Sequence, residues 1–121
     1  MKQYTTSEQT AKLIELGFEK PKSISGFIET IPAPIFTFQD FSNKTPIFAY
    51  SIGELIEMLP EDIEDKDNRG VWYFRNITGI SVYYSREERM YWTDLYISCL
   101  HEELIDNLYD MAVKLKEEGV I

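Results

Sequence analysis

The sequence predicts an α+β fold: a three- or four-stranded antiparallel meander, with a C-terminal helix packed on one face and two shorter helices from the N-terminal half. Three observations carry this reading. Two stretches open with a hydroxyl residue followed three positions later by Gln or Glu, the signature of a capped helix start. Residues 70–98 are dominated by β-branched and aromatic side chains separated by short polar links. The C-terminal stretch returns to helical spacing.

Taken in order, Thr6-Ser7-Glu8-Gln9 reads as an N-cap and its reciprocal partner, and Ala11, Leu13, Ile14 and Leu16 form the apolar stripe of a short helix closed by Gly17. Between Phe18 and Tyr50, prolines at 21, 32, 34 and 46 remove backbone donors while many Ile and Phe side chains call for burial. Short extended pieces satisfy both demands, with Ile35-Phe36-Thr37-Phe38 and Ile47-Phe48-Ala49 as edge strands. Ser51-Ile52-Gly53-Glu54 caps a second helix, which stops at Leu59 because Pro60 cannot continue it. The acidic run Glu61 to Asn68 then reads as a surface loop.

Three strands follow at 71–77, 80–84 and 90–97, joined by Thr78-Gly79 and by the polar loop Ser85 to Arg89. His101-Glu102-Glu103 opens the last helix. Leu104, Leu108, Met111, Ala112 and Leu115 form its core stripe, Ile105 and Tyr109 widen it, and Gly119 ends it.

Length and composition bound the function. A chain of 121 residues with 44% hydrophobic side chains fits a single domain spanning residues 1–121, which buries roughly two-thirds of its unfolded surface. Twenty-one acids against 12 bases leave a net charge of −9. Residues 61–121 hold 14 acids and 7 bases, so most of that charge lies in the second half. Such a field repels phosphate backbones, and no direct nucleic-acid binding is expected. Residues 1–8 lack the apolar core of a secretory signal, no apolar run approaches membrane-spanning length, and a single cysteine forms no internal disulfide. A cytoplasmic protein without a membrane role is expected.

Thr6-Ser7-Glu8-Gln9-Thr10 leading into Leu13-Ile14-Glu15-Leu16-Gly17, the stretch Tyr50 to Pro60 and the stretch Glu103 to Met111 together resemble a group of short uncharacterised bacterial proteins. These are common in gut Bacteroidetes and their prophages or mobile elements. The shared motifs are helix starts and core stripes. The resemblance implies a cytoplasmic, phage-derived accessory protein, and it supplies no activity, cofactor or site residue.

Each candidate for chemistry has a plainer reading. Cys99 and His101 stand two apart, but a closed zinc site needs four N or S ligands and the chain has one Cys and one His. A buried thiol and a helix-start histidine are expected instead. Asp65 to Gly70 imitates the start of a calcium loop, yet Arg69 and Asn76 occupy positions that need an oxygen ligand and a bidentate Glu. Glu102, Glu103, Asp106 and Asp110 share a helix face without a partner helix bearing carboxylates or a Glu-x-x-His pair, so a solvent-facing stripe is expected. No phosphate loop, nucleophile elbow or His-containing triad is present. Neither enzymatic activity, metal nor cofactor is therefore expected.

The informative feature is the ring content of the strands: Trp72, Tyr73, Phe74, Tyr83, Tyr84, Tyr91, Trp92 and Tyr96 fall within 25 residues. With Trp72, Phe74, Val82, Tyr84, Leu95 and Ile97 turned toward the helices, Tyr73, Arg75, Tyr83, Trp92 and Tyr96 are left on the opposite face as a partner-binding surface. The competing arrangement folds residues 18–50 over that face. A non-enzymatic interaction protein, binding a protein partner or a second copy of itself, is the leading functional expectation. An acidic mimic of nucleic acid that inhibits a DNA-processing protein is the alternative. On the leading expectation, alanine at Trp92 and Tyr83 weakens association with little loss of thermal stability; a collapse of the melting temperature places those rings in the core.

Overall fold

A computed structural model describes the protein at residues 1–29, 44–64, 72–88 and 91–121. Thr6 caps α1 (Ser7–Glu15): Gln9 N–H donates to Thr6 Oγ1 at 3.1 Å and Thr6 N–H donates to Gln9 Oε1 at 2.9 Å. Gly17 leaves the helix at φ 102°, a conformation that suits a residue without Cβ. The buried side of α1 is Thr10 and Leu13, while Ile14 faces out. The expected stripe is therefore rotated. Thr10 enters it because its hydroxyl is satisfied inside, donating to Thr6 O at 2.8 Å and lying 2.7 Å from Thr5 Oγ1.

β1 (Ile24–Glu29) and β2 (Lys44–Phe48) form an antiparallel ribbon with a bulge between Ile24 and Gly26. β2 overlaps the strand expected at 47–49, but Ala49 has already left it and lies buried, its N–H donating to Ser23 O. The strand expected at 35–38 lies outside the described residues. Ser51 caps α2 (Ile52–Met58) through a second reciprocal pair with Glu54, and Leu59 turns extended (φ −84°, ψ 127°) ahead of Pro60.

The second sheet holds β3 (Asp62–Glu64), β4 (Trp72–Thr78), β5 (Ser81–Glu88) and β6 (Tyr91–Ser98), antiparallel in the order β3-β4-β5-β6. Three expectations are corrected here. Part of the acidic run is strand: Ile63 is half-buried opposite Tyr73, and the acids on either side of it point to water. The hairpin turn is Gly79-Ile80, because Thr78 pairs with Ser81 and Gly79 takes φ 59°. The polar stretch from Ser85 continues β5 as far as Glu88, with Ser85 buried.

α3 (Leu104–Glu117) follows a short loop, starts later than expected and has no side-chain cap. It packs against α2, β5 and β6. One core joins Leu13, Leu55 and Leu59 to Tyr73, Val82 and Tyr84 and to Ile105, Leu108, Met111 and Leu115 of α3. No helix among the described residues is long and apolar enough to cross a membrane.

Asn107 is fully buried within that core. Its Nδ2 donates to Ile80 O at 2.6 Å and His101 O at 3.2 Å, and its Oδ1 accepts from His101 N–H at 3.1 Å and Ser98 Oγ at 3.5 Å. One amide thus binds the β4–β5 turn, the end of β6 and the loop before α3 to the helix. Asn107→Leu leaves two carbonyls, an N–H and the Ser98 hydroxyl without this partner, and a loss of about 3 kcal/mol is expected in urea unfolding. An unchanged midpoint would mean that water replaces the amide without cost.

Candidate functional site

The two faces of the four-stranded sheet follow from its register. A two-residue hairpin turn pairs strand residues whose numbers sum to an odd value. Tyr73 therefore stands opposite Arg86, Arg75 opposite Tyr84 and Ile77 opposite Val82. Cross-strand partners share a face, so Tyr73, Arg75 and Ile77 lie on the helix side with Val82 and Tyr84. Trp72 and Phe74 lie on the other side with Tyr83. The facing expected for β4 is thus reversed, and a turn at Thr78-Gly79 leads to the same parity.

Tyr73 is 6% exposed and belongs to the core, with Arg86 Cζ 5.8 Å from its ring centroid. Arg75 is half-buried, and its Nη1 donates to Ile56 O at 2.8 Å and Leu59 O at 2.7 Å. These carbonyls lie at the end of α2, where Leu59 O has no later helical N–H to meet it, so the guanidinium closes the helix rather than facing a partner. Beside it the Tyr84 hydroxyl donates to Pro60 O. Tyr96 also turns inward: it pairs with Tyr84 and packs against the core, with the Glu118 carboxylate near its hydroxyl. Burial, followed by the neighbouring Glu118, pushes that phenol above its ordinary range.

Of the five expected contact residues, Tyr83 keeps the outward facing, half-buried opposite Asn76 and Ile97, with its hydroxyl 3.3 Å from Thr78 Oγ1. Trp92 stands opposite Glu87 in the ladder, and its side chain lies outside the described set. A bulge between Tyr84 and Ser85 shifts the β5–β6 register, so the parity that holds at Tyr96 does not carry over to position 92.

The outward face that results is built from Trp72 (46% exposed), Phe74 (39%), Ile97 (46%) and Tyr83. Asn76 Nδ2 donates to Phe74 O and Ser85 Oγ between these side chains, and exposed Asp62 and Glu64 border Phe74 and Trp72 on β3. Trp72 and Phe74 are therefore part-exposed on this face, whereas the opposite face is shielded by α2 and α3. The ribbon adds a second uncovered apolar surface that was not anticipated, with Ile24, Phe27, Ile28 and Phe48 all exposed.

The groups considered for chemistry are otherwise engaged. Cys99 is exposed, not buried, because inward-facing Ser98 ends β6 and the next residue turns out. His101 precedes α3 and pairs with Asp110, not with the thiol. Burial alone would raise the Asp106 carboxyl; hydrogen bonds from Lys2 Nζ (2.8 Å) and Gln9 Nε2 (2.9 Å) outweigh it and hold the group below the usual carboxylate range. Glu103 accepts from Lys2 N–H. Glu103 and Asp106 of the expected solvated stripe therefore hold the N-terminal segment, while Glu102 is exposed as expected and Asp110 pairs with His101. The calcium-like stretch from Asp65 lies outside the described residues. Among the described residues no three His, Cys, Asp or Glu side chains are grouped as metal ligands.

A cleft of about 470 Å3 lies between the α1–β1 connection and α2, lined by Phe18, Lys22, Tyr50 and Glu54 among others. Of its three carboxylates, Glu19, Glu54 and Glu57, Glu54 is already engaged: burial tends to raise its carboxyl, but donors at Lys22, Ser23 and Ser51 prevail and lower it. A second groove, of about 480 Å3, runs between β6 and α3.

No protein-family model matches the sequence, and neither a curated protein nor a solved structure is significantly similar to it.

Burial pushes the Tyr84 phenol up to about 12, with Arg75 opposing and Asp62 adding to the rise. Below pH 10 the phenol is neutral whether the chain is folded or not, and its contribution to stability is complete. Between about 10 and 12 the unfolded chain ionises and the folded one does not, so stability falls as pH rises. Urea midpoints across that window are expected to fall less steeply in Tyr84→Phe, which itself costs about 1 kcal/mol at neutral pH through the lost bond to Pro60.

Proposed function

We propose that this protein is a non-enzymatic interaction module that engages a protein partner, or a second copy of itself, through the outward face of its four-stranded sheet. The carrying observation is the exposure of Trp72 and Ile97, with part-exposed Phe74 and Tyr83 between them, on a sheet whose other face is buried by helices. Isolated domains seldom leave several large apolar side chains together in water, and aromatic anchors supply much of the binding energy at protein interfaces. Tyr73, Arg75 and Tyr96 act on this reading as the internal support that holds the face flat against α2 and α3. The setting proposed is the cytoplasm, in an accessory role of the phage-derived kind that the sequence resemblance implies.

The inhibitory nucleic-acid mimic is the competing proposal, and salt separates the two. An aromatic interface persists as ionic strength rises, whereas a charge mimic releases its target steeply.

The test pairs an outer-face variant with a core variant. Trp72→Ser combined with Phe74→Ser is expected to abolish association, read by light scattering for self-association and by pull-down at low and high salt for a partner, while leaving the fold intact. Tyr73→Ala is expected to cost about 3 kcal/mol of stability. Undiminished association in the double variant refutes the proposed face.

A further inference from the structure

We propose that the outer edge of β6, together with the groove between it and α3, binds an extended basic peptide as an added strand. The two edges of the four-stranded sheet differ. β3 is three residues long and carries exposed acids on either side of Ile63, the features that blunt an edge against pairing. β6 is eight residues long, and among the described residues no strand pairs with its outer side. Among the described residues, the Ile97 carbonyl on that side is met by Lys114 Nζ alone, at an exposed 3.4 Å. This long contact yields readily to an incoming backbone N–H.

The groove beside the edge supplies both kinds of recognition that strand addition uses. Leu100 and Val113 make it apolar, with Ile97 at its rim, and Leu100 is 92% exposed. Asp110, Glu117 and Glu118 line it with one lysine, Lys114, on a chain of net charge −9; Asp110 also pairs with His101, and Glu117 lies 3.9 Å from Lys12 Nζ at the surface. Alternating side chains of an added strand place every second residue over the groove, where lysine or arginine meets these carboxylates and the intervening residues cover Ile97. That charge sets a basic segment above a second copy of this chain as the occupant. The edge meets the aromatic face proposed above at Ile97, while Trp72 and Phe74 belong to β4, two strands away.

The probe is an end-blocked eight-residue peptide alternating valine with lysine, titrated into the full chain and followed by calorimetry and backbone amide shifts. Saturable binding is expected, with the largest shifts in β6. Glu117→Lys is expected to weaken it about tenfold and methylation of alternate peptide amides, which removes donors but no charge, by a similar factor. Leu100→Ser weakens it as well, and Lys114→Met, which uncovers the Ile97 carbonyl and removes a like charge, tightens it. Trp72→Ser with Phe74→Ser leaves it unchanged, so a failure of the aromatic-face reading is distinguishable from a failure of this one. Equal binding of the methylated peptide, no saturable binding, or dimers of the chain alone that Leu100→Ser dissolves would each overturn the proposal.

Discussion

The buried amide of Asn107 is the constraint on which the rest of the molecule depends. Three pieces of chain that share no secondary structure, the β4–β5 turn, the last residue of β6 and the loop at His101, each direct a polar group at it. A buried amide that is fully satisfied specifies one arrangement, because any shift of α3 along the sheet leaves several groups without partners in a place that water does not reach. With α3 held in this way, Ile105, Leu108 and Met111 meet Val82 and Tyr84, and the shielded face of the sheet is defined.

Arg75 and Lys2 extend the same logic to the remaining helices. The guanidinium of Arg75 links the sheet to the open end of α2, a seven-residue helix too short to be stable alone. Lys2 and Gln9 bring the N-terminal segment onto Asp106, while Thr5 exchanges hydrogen bonds with the backbone of Tyr50. Polar contacts at element ends, more than extra apolar area, therefore set how three short helices sit on a small sheet. The same economy explains why so much apolar surface remains on the far side: α2 and α3 have one face to offer, and both offer it to Tyr73, Val82 and Tyr84.

Much of the fold was legible in local chemistry. Both capping boxes, the stop at Pro60, the left-handed Gly17 and Gly119 and the ring-rich strands are signals confined to a few residues, and each operates without tertiary context. What escaped reading was set at a distance. The facing of β4 depends on the parity of a hairpin, and an arithmetic check on any two-residue turn would have placed Tyr73 with Tyr84 instead of with Tyr83. The change of register at Tyr84 comes from a bulge that no residue type announces. Strand β3 is three residues of an acidic run that pair only because β4 lies beside them. Asn107 did leave a trace: it falls within the apolar stripe, three residues after Leu104 and four before Met111, where a polar side chain has to find partners inside. Arg75 left none, since nothing local says that a helix end lies opposite.

The exposed position of Cys99 has a practical corollary for anyone handling the protein. With one thiol per chain and that thiol in water, maleimide dyes or spin labels attach at a single known address beside the end of β6, with no engineering of the sequence. The same chemistry works unasked in air: two copies joined sulfur to sulfur would elute as a dimer, and only a reductant in the buffer separates that artefact of oxidation from assembly driven by the surface itself.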